Sequence, residues 1–390
     1  MTKEEKRHKR AFRLLTPVAK LIIKSKFNYE YESFADIEGP CLVLANHNTD
    51  FDPILLGLAA KNQTYFVATE NITRMGILGW IVRRFFDPIL HYKGMQGTNT
   101  IRAIVERIHA GHNVAMFPEG NRSFNGLTCP IPPATGKMAR LTGATLITYR
   151  FTGAYFASPR WGKGTRKGKI TGKIAGVYTH EQLMAMKKDE LQAIVERDLY
   201  ADAYEDQKNS PEKYAKKDRA EGLPSALFMC PCCKKIGTLH TKGNRIFCDS
   251  CDFGAEYDAY GYLQTDDGKK RTITELDKAQ HEALIKLAEG AGTDDALFSD
   301  RITFSEISEN HEVIRREASA FTAFRDRFVL DTIGISFEDV EGIAIQQRNL
   351  LLVHVKGNPN HYEMAGDIDF SALKYLYLFR AVMGGGNGTL

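Results

Sequence analysis

The stretch Cys41-Leu42-Val43-Leu44-Ala45-Asn46-His47-Asn48-Thr49-Asp50-Phe51-Asp52-Pro53 decides how the first half of the chain folds. Five apolar residues in a row read as a strand. A polar turn follows. Asp52-Pro53 then has the form of a helix start, because Asp is a preferred N-cap and Pro fits the first helical position. The same alternation continues outward. Residues 41–45, 64–68, 88–92, 113–117 and 144–149 read as strands, and 53–60, 75–86, 98–110 and 134–142 as helices between them. A further strand near 169–177 precedes a helix that Thr179 and Gln182 open as a capping box. The alternation predicts an α/β domain, a central mixed sheet flanked by helices.

The chain of 390 residues exceeds what one hydrophobic core usually serves, so two or three domains are expected. With 43% hydrophobic and 26% charged residues it is globular rather than disordered. No apolar run reaches the ~18 residues of a membrane span, and the first segment is too broken by charge to be a signal peptide. The expectation is a cytoplasmic protein, peripheral on the inner face of the membrane. In a reducing compartment the seven Cys read for metal rather than disulfides.

Charge is uneven although the net value is only +4. Lys3, Lys6, Arg7, Lys9, Arg10, Arg13, Lys20, Lys24 and Lys26 face only Glu4 and Glu5, with Phe12, Leu14, Leu15, Val18, Leu21, Ile22 and Ile23 interleaved. Such a segment can lie on an anionic phospholipid surface; the alternative is a helix docked on the core with a solvated face. Pro17 argues against one unbroken helix. Between Glu119 and Glu181 there is no acidic residue, while Arg122, Lys137, Arg140, Arg150, Arg160, Lys163, Arg166, Lys167, Lys169 and Lys173 crowd the same stretch. That field is expected to recruit anions such as phospholipid head groups, coenzyme A phosphates or an acidic carrier protein.

His47 and Asp52 stand five apart across the turn after the first strand. An imidazole can take a hydroxyl proton, and a carboxylate on its other nitrogen fixes the tautomer. Asp52 can equally serve as a helix cap alone. A second strand ends in Phe117-Pro118-Glu119-Gly120-Asn121-Arg122-Ser123. Ligands of open α/β sheets bind beyond the carboxyl ends of strands, so His47, Arg122 and Lys93, which all follow such ends, can converge. Arg122 can hold a phosphate bidentately and Lys93 as a point charge. Glu119 reads either as a substrate contact or as a carboxylate tying loop backbone.

Taken together, the block from His47 to Asp52 and the block from Phe117 to Ser123 resemble two motifs of the glycerolipid acyltransferases, the 1-acylglycerol-3-phosphate acyltransferase family, over roughly residues 20–180. The resemblance implies that His47 is the base, Asp52 its partner, and Lys93, Glu119, Gly120 and Arg122 substrate-binding residues. It also implies a fatty acyl thioester (acyl-CoA or acyl carrier protein) as donor and a lysophospholipid or glycerol phosphate as acceptor. Two positions depart from the family pattern. Leu90-His91-Tyr92-Lys93 stands where an Arg usually closes the second block, and Leu146-Ile147-Thr148-Tyr149 lacks the Pro usual in the fourth.

Cys230-Pro231-Cys232-Cys233 and Cys248-Asp249-Ser250-Cys251 form two C-x-x-C knuckles, with Gly243-Asn244 between them as a hairpin turn. Cys230, Cys233, Cys248 and Cys251 are the expected ligands of a structural Zn2+, with Cys232 a bystander. Cys41 and Cys129 carry no assigned role. Short strands after about residue 301 and a helix over 370–382 predict a small β-barrel or sandwich that resembles a pleckstrin-homology-like module. The predicted order is a basic amphipathic segment (1–35), an acyltransferase-like domain (36–200), a charged linker (201–224), a zinc ribbon (225–264), a helical connector (271–292) and the β-rich domain (298–385). Two rival readings remain at this point. One is a zinc-ribbon nucleic-acid binder using Trp161 with Lys163 and Arg166; the other is an inactive lipid-binding scaffold. The ribbon itself is only modestly basic, so nucleic acid is not the expected partner.

Overall fold

The computed structural model describes residues 2–60, 62–91, 97–331 and 333–384. The chain divides into two compact units. The first comprises Met1–Pro159 and Thr165–Ala215, the second Arg160–Gly164 and Lys216–Leu390.

The first unit opens with α1 (Lys3–Lys26), β1 (Asn28–Tyr31), β2 (Cys41–Ala45), α2 (Asp52–Ala60), β3 (Thr64–Thr69), α3 (Gly76–Phe86) and β4 (Ile89–His91). It continues with α4 (Thr98–His109), β5 (Asn113–Met116), α5 (Thr135–Leu141), β6 (Thr145–Thr152), α6 (Ala154–Ala157) and β7 (Lys169–Tyr178). The short helices α7 (His180–Ala185), α8 (Lys188–Leu199) and α9 (Ala203–Asn209) close it. The sheet order is β1-β7-β6-β2-β5-β3-β4. The run from β6 to β4 is parallel, β7 is antiparallel to β6, and β1 pairs parallel with β7.

This order places the loops that matter. Leu44 pairs with Met116 and Ala45 with Tyr149, so β2 ends level with β5 on one side and β6 on the other. The loops leaving β2 and β5 therefore rise side by side from one sheet edge, although some seventy residues separate them. Every residue of β2 is buried, as a strand covered on both faces requires. Leu42 and Leu44 join Val114, Leu146, Ile104, Ile108, Leu191 and Val195 in the core. Each such fully buried side chain contributes about 1.5–3 kcal/mol.

α1 departs from expectation, since it runs unbroken through Pro17. Pro17 is exposed, and the bond it removes is the one to the Arg13 carbonyl of the preceding turn; the Thr16 hydroxyl next to it back-bonds the Phe12 carbonyl at 2.6 Å. Among the described residues no helix is long and apolar enough to cross a membrane.

Residues 201–224 also differ from the expected charged linker. They include α9, Tyr204, Gln207, Tyr214, Ala220 and Leu223 are buried, and the border between the two units falls inside them. Tyr214 packs against Gly168 and donates to the Lys169 carbonyl. A composition rich in Lys and Glu hid a few apolar anchors at irregular spacing.

The second unit begins with an antiparallel meander, β8 (Leu239–Lys242), β9 (Arg245–Cys248), β10 (Gly254–Tyr257), β11 (Leu263–Thr265) and β12 (Lys270–Arg271). α10 (Ile273–Gly290) follows, opened by a Thr272–Glu275 capping box. A seven-stranded antiparallel sheet comes next: β13 (Phe298–Ile307), β14 (Val313–Ala323), β15 (Arg327–Leu330), β16 (Ile333–Ser336), β17 (Val340–Gln346), β18 (Leu350–Val355) and β19 (His361–Ala365). Its order, β16-β15-β14-β13-β19-β18-β17, is one continuous ladder. α11 (Ala372–Met383) lies on it, with Tyr375 stacked on Phe321 at 4.2 Å between ring centroids.

Candidate active site and candidate metal centre

The loop after β2 is built around one buried carboxylate. Asp52 is 0% exposed, and its Oδ2 accepts from the backbone N–H of Asn48 at 2.6 Å and of Thr49 at 2.8 Å. Its Oδ1 accepts from the Thr49 hydroxyl at 3.0 Å. Asp52 thus turns back onto the loop that precedes it. The same Oδ2 lies 2.9 Å from His47 Nδ1. This contact fixes the tautomer with the proton on Nδ1, and among the described residues Nε2 has no hydrogen-bond partner. Burial lowers the imidazole pKa, against the hydrogen bond and charge of Asp52, which raise it; the nearby Arg122 charge lowers it further. The result is an imidazole that stays neutral, and so able to accept a proton, at physiological pH.

The ring is held from several sides. It stacks on Phe117 with centroids 4.5 Å apart and planes 21° from parallel. The His47 backbone N–H donates to Glu119 Oε1 at 2.6 Å, and its carbonyl accepts from Ser123 N–H at 3.3 Å. One residue earlier, Asn46 pairs with the Phe151 backbone in both directions, at 3.0 and 2.7 Å, which anchors the loop to β6.

Glu119 bonds loop backbone through both of its carboxylate oxygens. Its second oxygen accepts the Cys129 N–H at 2.6 Å, so both oxygens hold loop backbone. Burial pushes its carboxyl up to about 8, opposed by the hydrogen bonds from Cys129 and His47. Gly120 follows at φ +63°, a turn conformation that suits glycine. In Glu119→Gln the side-chain NH2 would face one of two backbone donors. A buried donor left unsatisfied costs about 1–3 kcal/mol. We expect turnover to fall about tenfold or more while KM stays nearly level, because the shift is in His47. Steady-state kinetics of this variant checks it.

Arg122 reaches the same edge. Its guanidinium is 12% exposed and pairs at 3.0 Å with Asp50, which is 76% exposed. His47, Asp52, Glu119 and Arg122 are therefore gathered in one place. Lys93 lies outside the described residues. Sequence reasoning missed Asn46, Asp50, Phe117 and Cys129. All four sit in or beside the quoted motifs, but their roles depend on pairing partners from neighbouring strands and loops.

The basic field between 119 and 181 is largely folded into the protein. Arg160 and Arg166 are buried. Arg150 makes two 2.8 Å bonds to Asp206, and Lys169 pairs with Glu30 at 3.0 Å. The acids that balance it lie outside the sequence window. Lys137, Lys163, Lys167 and Lys173 remain exposed. Trp161 is 0% exposed against Tyr257, so it offers no face to a nucleic acid base.

The sulfurs of Cys230, Cys233, Cys248 and Cys251 all lie within 4.8 Å of one another. Cys230 to Cys251 is 3.6 Å and Cys233 to Cys248 is 3.8 Å. Tetrahedral thiolates at about 2.3 Å from a zinc ion stand roughly 3.8 Å apart, so the four residues fit such an ion. Lys234 at φ +62° makes the knuckle turn, and its N–H donates to the Cys230 carbonyl at 3.0 Å. Cys232 is exposed and outside the group.

Residues 24–152, which contain β2, β5, His47 and Arg122, match the family model described as acyltransferase, and this part of the chain is an acyltransferase domain. The 1-acyl-sn-glycerol-3-phosphate acyltransferase BAT2, chloroplastic, of Brassica napus is 23% identical to this chain over 135 residues, 34% of this chain. The chain spans 39% of the length of that curated relative. Among solved structures, the 1-acyl-sn-glycerophosphate (LPA) acyltransferase PlsC from Thermotoga maritima is similar at 20% identity, with a TM-score of 0.44. That likeness covers 55% of this chain and 86% of the other.

Proposed function

We propose that this protein transfers a fatty acyl group from an acyl thioester, acyl-CoA or acyl carrier protein, to the hydroxyl of a lysophospholipid or glycerol phosphate, with 1-acylglycerol-3-phosphate to phosphatidic acid as the leading reaction. The observation that carries the reading is the 2.9 Å contact between His47 Nδ1 and Asp52 beside Arg122, inside the matched domain. His47 Nε2 takes the acceptor's hydroxyl proton as the oxygen attacks the thioester carbonyl. The C–O bond forms, the tetrahedral intermediate collapses, the C–S bond breaks, and the imidazolium returns the proton to the departing thiolate. Asp52 stabilises the imidazolium. Side-chain general-base help contributes typically about 10²–10⁴-fold. No acyl-enzyme is formed.

In this reading Arg122 holds the acceptor phosphate, exchanging the exposed Asp50 for it. The protein works on a membrane surface. α1 leaves Leu14, Val18 and Leu21 exposed among lysines and arginines, which supports peripheral attachment on the inner, cytoplasmic face. The four-thiolate site holds zinc in a structural role, since four protein ligands leave no open position.

The test is release of free thiol from an acyl thioester with candidate acceptors. Arg122→Ala should raise KM for a phosphorylated acceptor about 10- to 100-fold, the loss of a charge-assisted bidentate hydrogen bond. Acceptors without phosphate should be little affected. Equal kinetics for wild type and Arg122→Ala with the phosphorylated acceptor would overturn that role, and no thiol release with any lysophospholipid or glycerol phosphate would overturn the reaction.

A further inference from the structure

Between α1 and α3 lies a cavity of about 300 Å³, separate from the His47 loop. Arg7, Arg83 and Arg84 line it, with Trp80 on its wall. The two carboxylates on its lining already have partners: Glu4 pairs with Arg7 at 3.1 Å, and Asp87 with Arg107 at 2.9 Å. Guanidiniums thus exceed carboxylates. The Nε–H of Arg7 donates to the Arg84 carbonyl at 3.0 Å, which fixes one helix to the other at this point.

The helix faces that lead away from the cavity are apolar and bare. Arg7, Ala11, Leu14, Val18 and Leu21 follow a 4-3-4-3 spacing, one stripe of α1. Ala11 is buried, but Leu14 is 70%, Val18 51% and Leu21 69% exposed. On α3, Ile77, Trp80 and Arg84 share a face by the same rule, with Ile77 81% and Trp80 55% exposed. On each helix, then, an uncovered apolar stripe ends at a guanidinium of the cavity. Around it Lys3, Lys6, Lys9 and Arg10 are exposed.

We infer that this cavity is a headgroup site for an anionic glycerophospholipid of the bilayer, distinct from the acceptor site. The lipid phosphate is held by Arg7, Arg83 and Arg84, and its acyl chains lie against the bare stripes of α1 and α3. A guanidinium matches the phosphate oxygens bidentately. Trp at the rim suits the interface, where one edge of the ring is wet and the body apolar. The charge complementarity commits the site to a membrane lipid rather than to free phosphate, because an inorganic ion leaves the apolar stripes uncovered. The inference rests on the membrane-surface part of the proposed function, and not on the reaction.

Co-sedimentation with vesicles tests it, using phosphatidylcholine alone and phosphatidylcholine mixed with phosphatidylglycerol. The full chain should bind the mixed vesicles much more strongly, and inorganic phosphate at the same ionic strength as a chloride control should not compete more than chloride does. Each Lys or Arg near the surface is worth roughly fivefold in partitioning. Arg83→Ala/Arg84→Ala loses that diffuse attraction, about 25-fold for two charges, and the bidentate phosphate contacts besides, so binding to mixed vesicles should fall more than about 100-fold, with little change on pure phosphatidylcholine. Lys20→Ala/Lys24→Ala removes the same charge from α1 outside the cavity and should lose clearly less. Equal losses in the two double variants would overturn the site in favour of diffuse attraction, as would displacement by inorganic phosphate alone. Arg83→Lys/Arg84→Lys keeps the charge and guards against misfolding; it should fall between wild type and the alanine pair, and binding equal to wild type would overturn the bidentate assignment. The binding assay is independent of turnover, so His47→Ala should bind vesicles like the wild type. Failure of thiol release with intact lipid selectivity then counts only against the reaction, and failure of selectivity with intact thiol release only against this site.

Discussion

His47→Ala should lose acyl transfer by at least about 10²-fold and toward 10⁴-fold, the range for removing a positioned general base, while the melting temperature and circular dichroism stay close to those of the wild type. The fold should survive because Asp52 keeps its bonds from the Asn48 and Thr49 backbone and the Thr49 hydroxyl without the imidazole. The pH profile carries a sharper test. Neutral His47 is the active form, and burial holds its pKa below the ordinary imidazole value. The acid limb of kcat/KM should therefore fall below about pH 6.5, with rates level through neutrality. Asp52→Asn removes the interactions that raise that pKa, so the limb should move to still lower pH. Turnover should drop steeply at the same time, on the order of 10⁴-fold where an Asp orients a catalytic His in hydrolases. Full turnover by His47→Ala, or an acid limb well above 6.5 in the wild type, would remove His47 from the chemistry.

The strand-turn-helix around His47 was readable because parallel strands covered on both faces are short continuous apolar runs, and Cys41–Ala45 is such a run. The convergence of His47 with Arg122 was readable for a related reason: both follow strand ends, and such ends share one edge of the sheet. What could not be read was everything set by strand order. Asn46 bonds Phe151 because β2 lies beside β6, and nothing near either residue in sequence says so. Glu119 carried two readings because a carboxylate in a loop has the same one-dimensional signature whether it meets substrate or backbone. The basic stretch after Glu119 misled for the opposite reason. Its partners, Glu30 and Asp206, are distant in sequence and adjacent in space. β14 runs from Val313 to Ala323 where only short strands were expected, since Ala318, Ser319 and Ala320 lack the bulk by which strands are recognised, yet they pair in register with β13.

Stripping the metal from the four-cysteine site should shift the fluorescence of Trp161 to the red and lower the first melting transition. A structural zinc ion supplies about 10–16 kcal/mol of apparent binding free energy, as large as the whole stability of a typical domain, about 5–15 kcal/mol. The meander β8–β12 is too small to replace it, because its own buried apolar side chains are few: Leu239, Ile246, Ala255, Tyr257 and Leu263. Two of the four cysteines sit on or beside β9, Cys248 at its end and Cys251 in the turn to β10. β10 ends in Tyr257, whose ring meets Trp161 edge-on at 5.3 Å. Trp161 is further enclosed by Gly222, at φ +86°, where a Cβ would run into the Trp161 carbonyl. Arg160 beside it donates to the carbonyls of Ile345 and Gln347 at 2.9 and 2.6 Å. Losing the metal loosens β9 and β10, opens the wall against Trp161 and admits water to the indole. The chain has two Trp, so Trp80→Phe isolates the signal. Cys233→Ser should reproduce both the red shift and the lowered transition without chelator. Metal-free protein that keeps a buried Trp161 emission and its first transition would show that the ribbon stands without the ion.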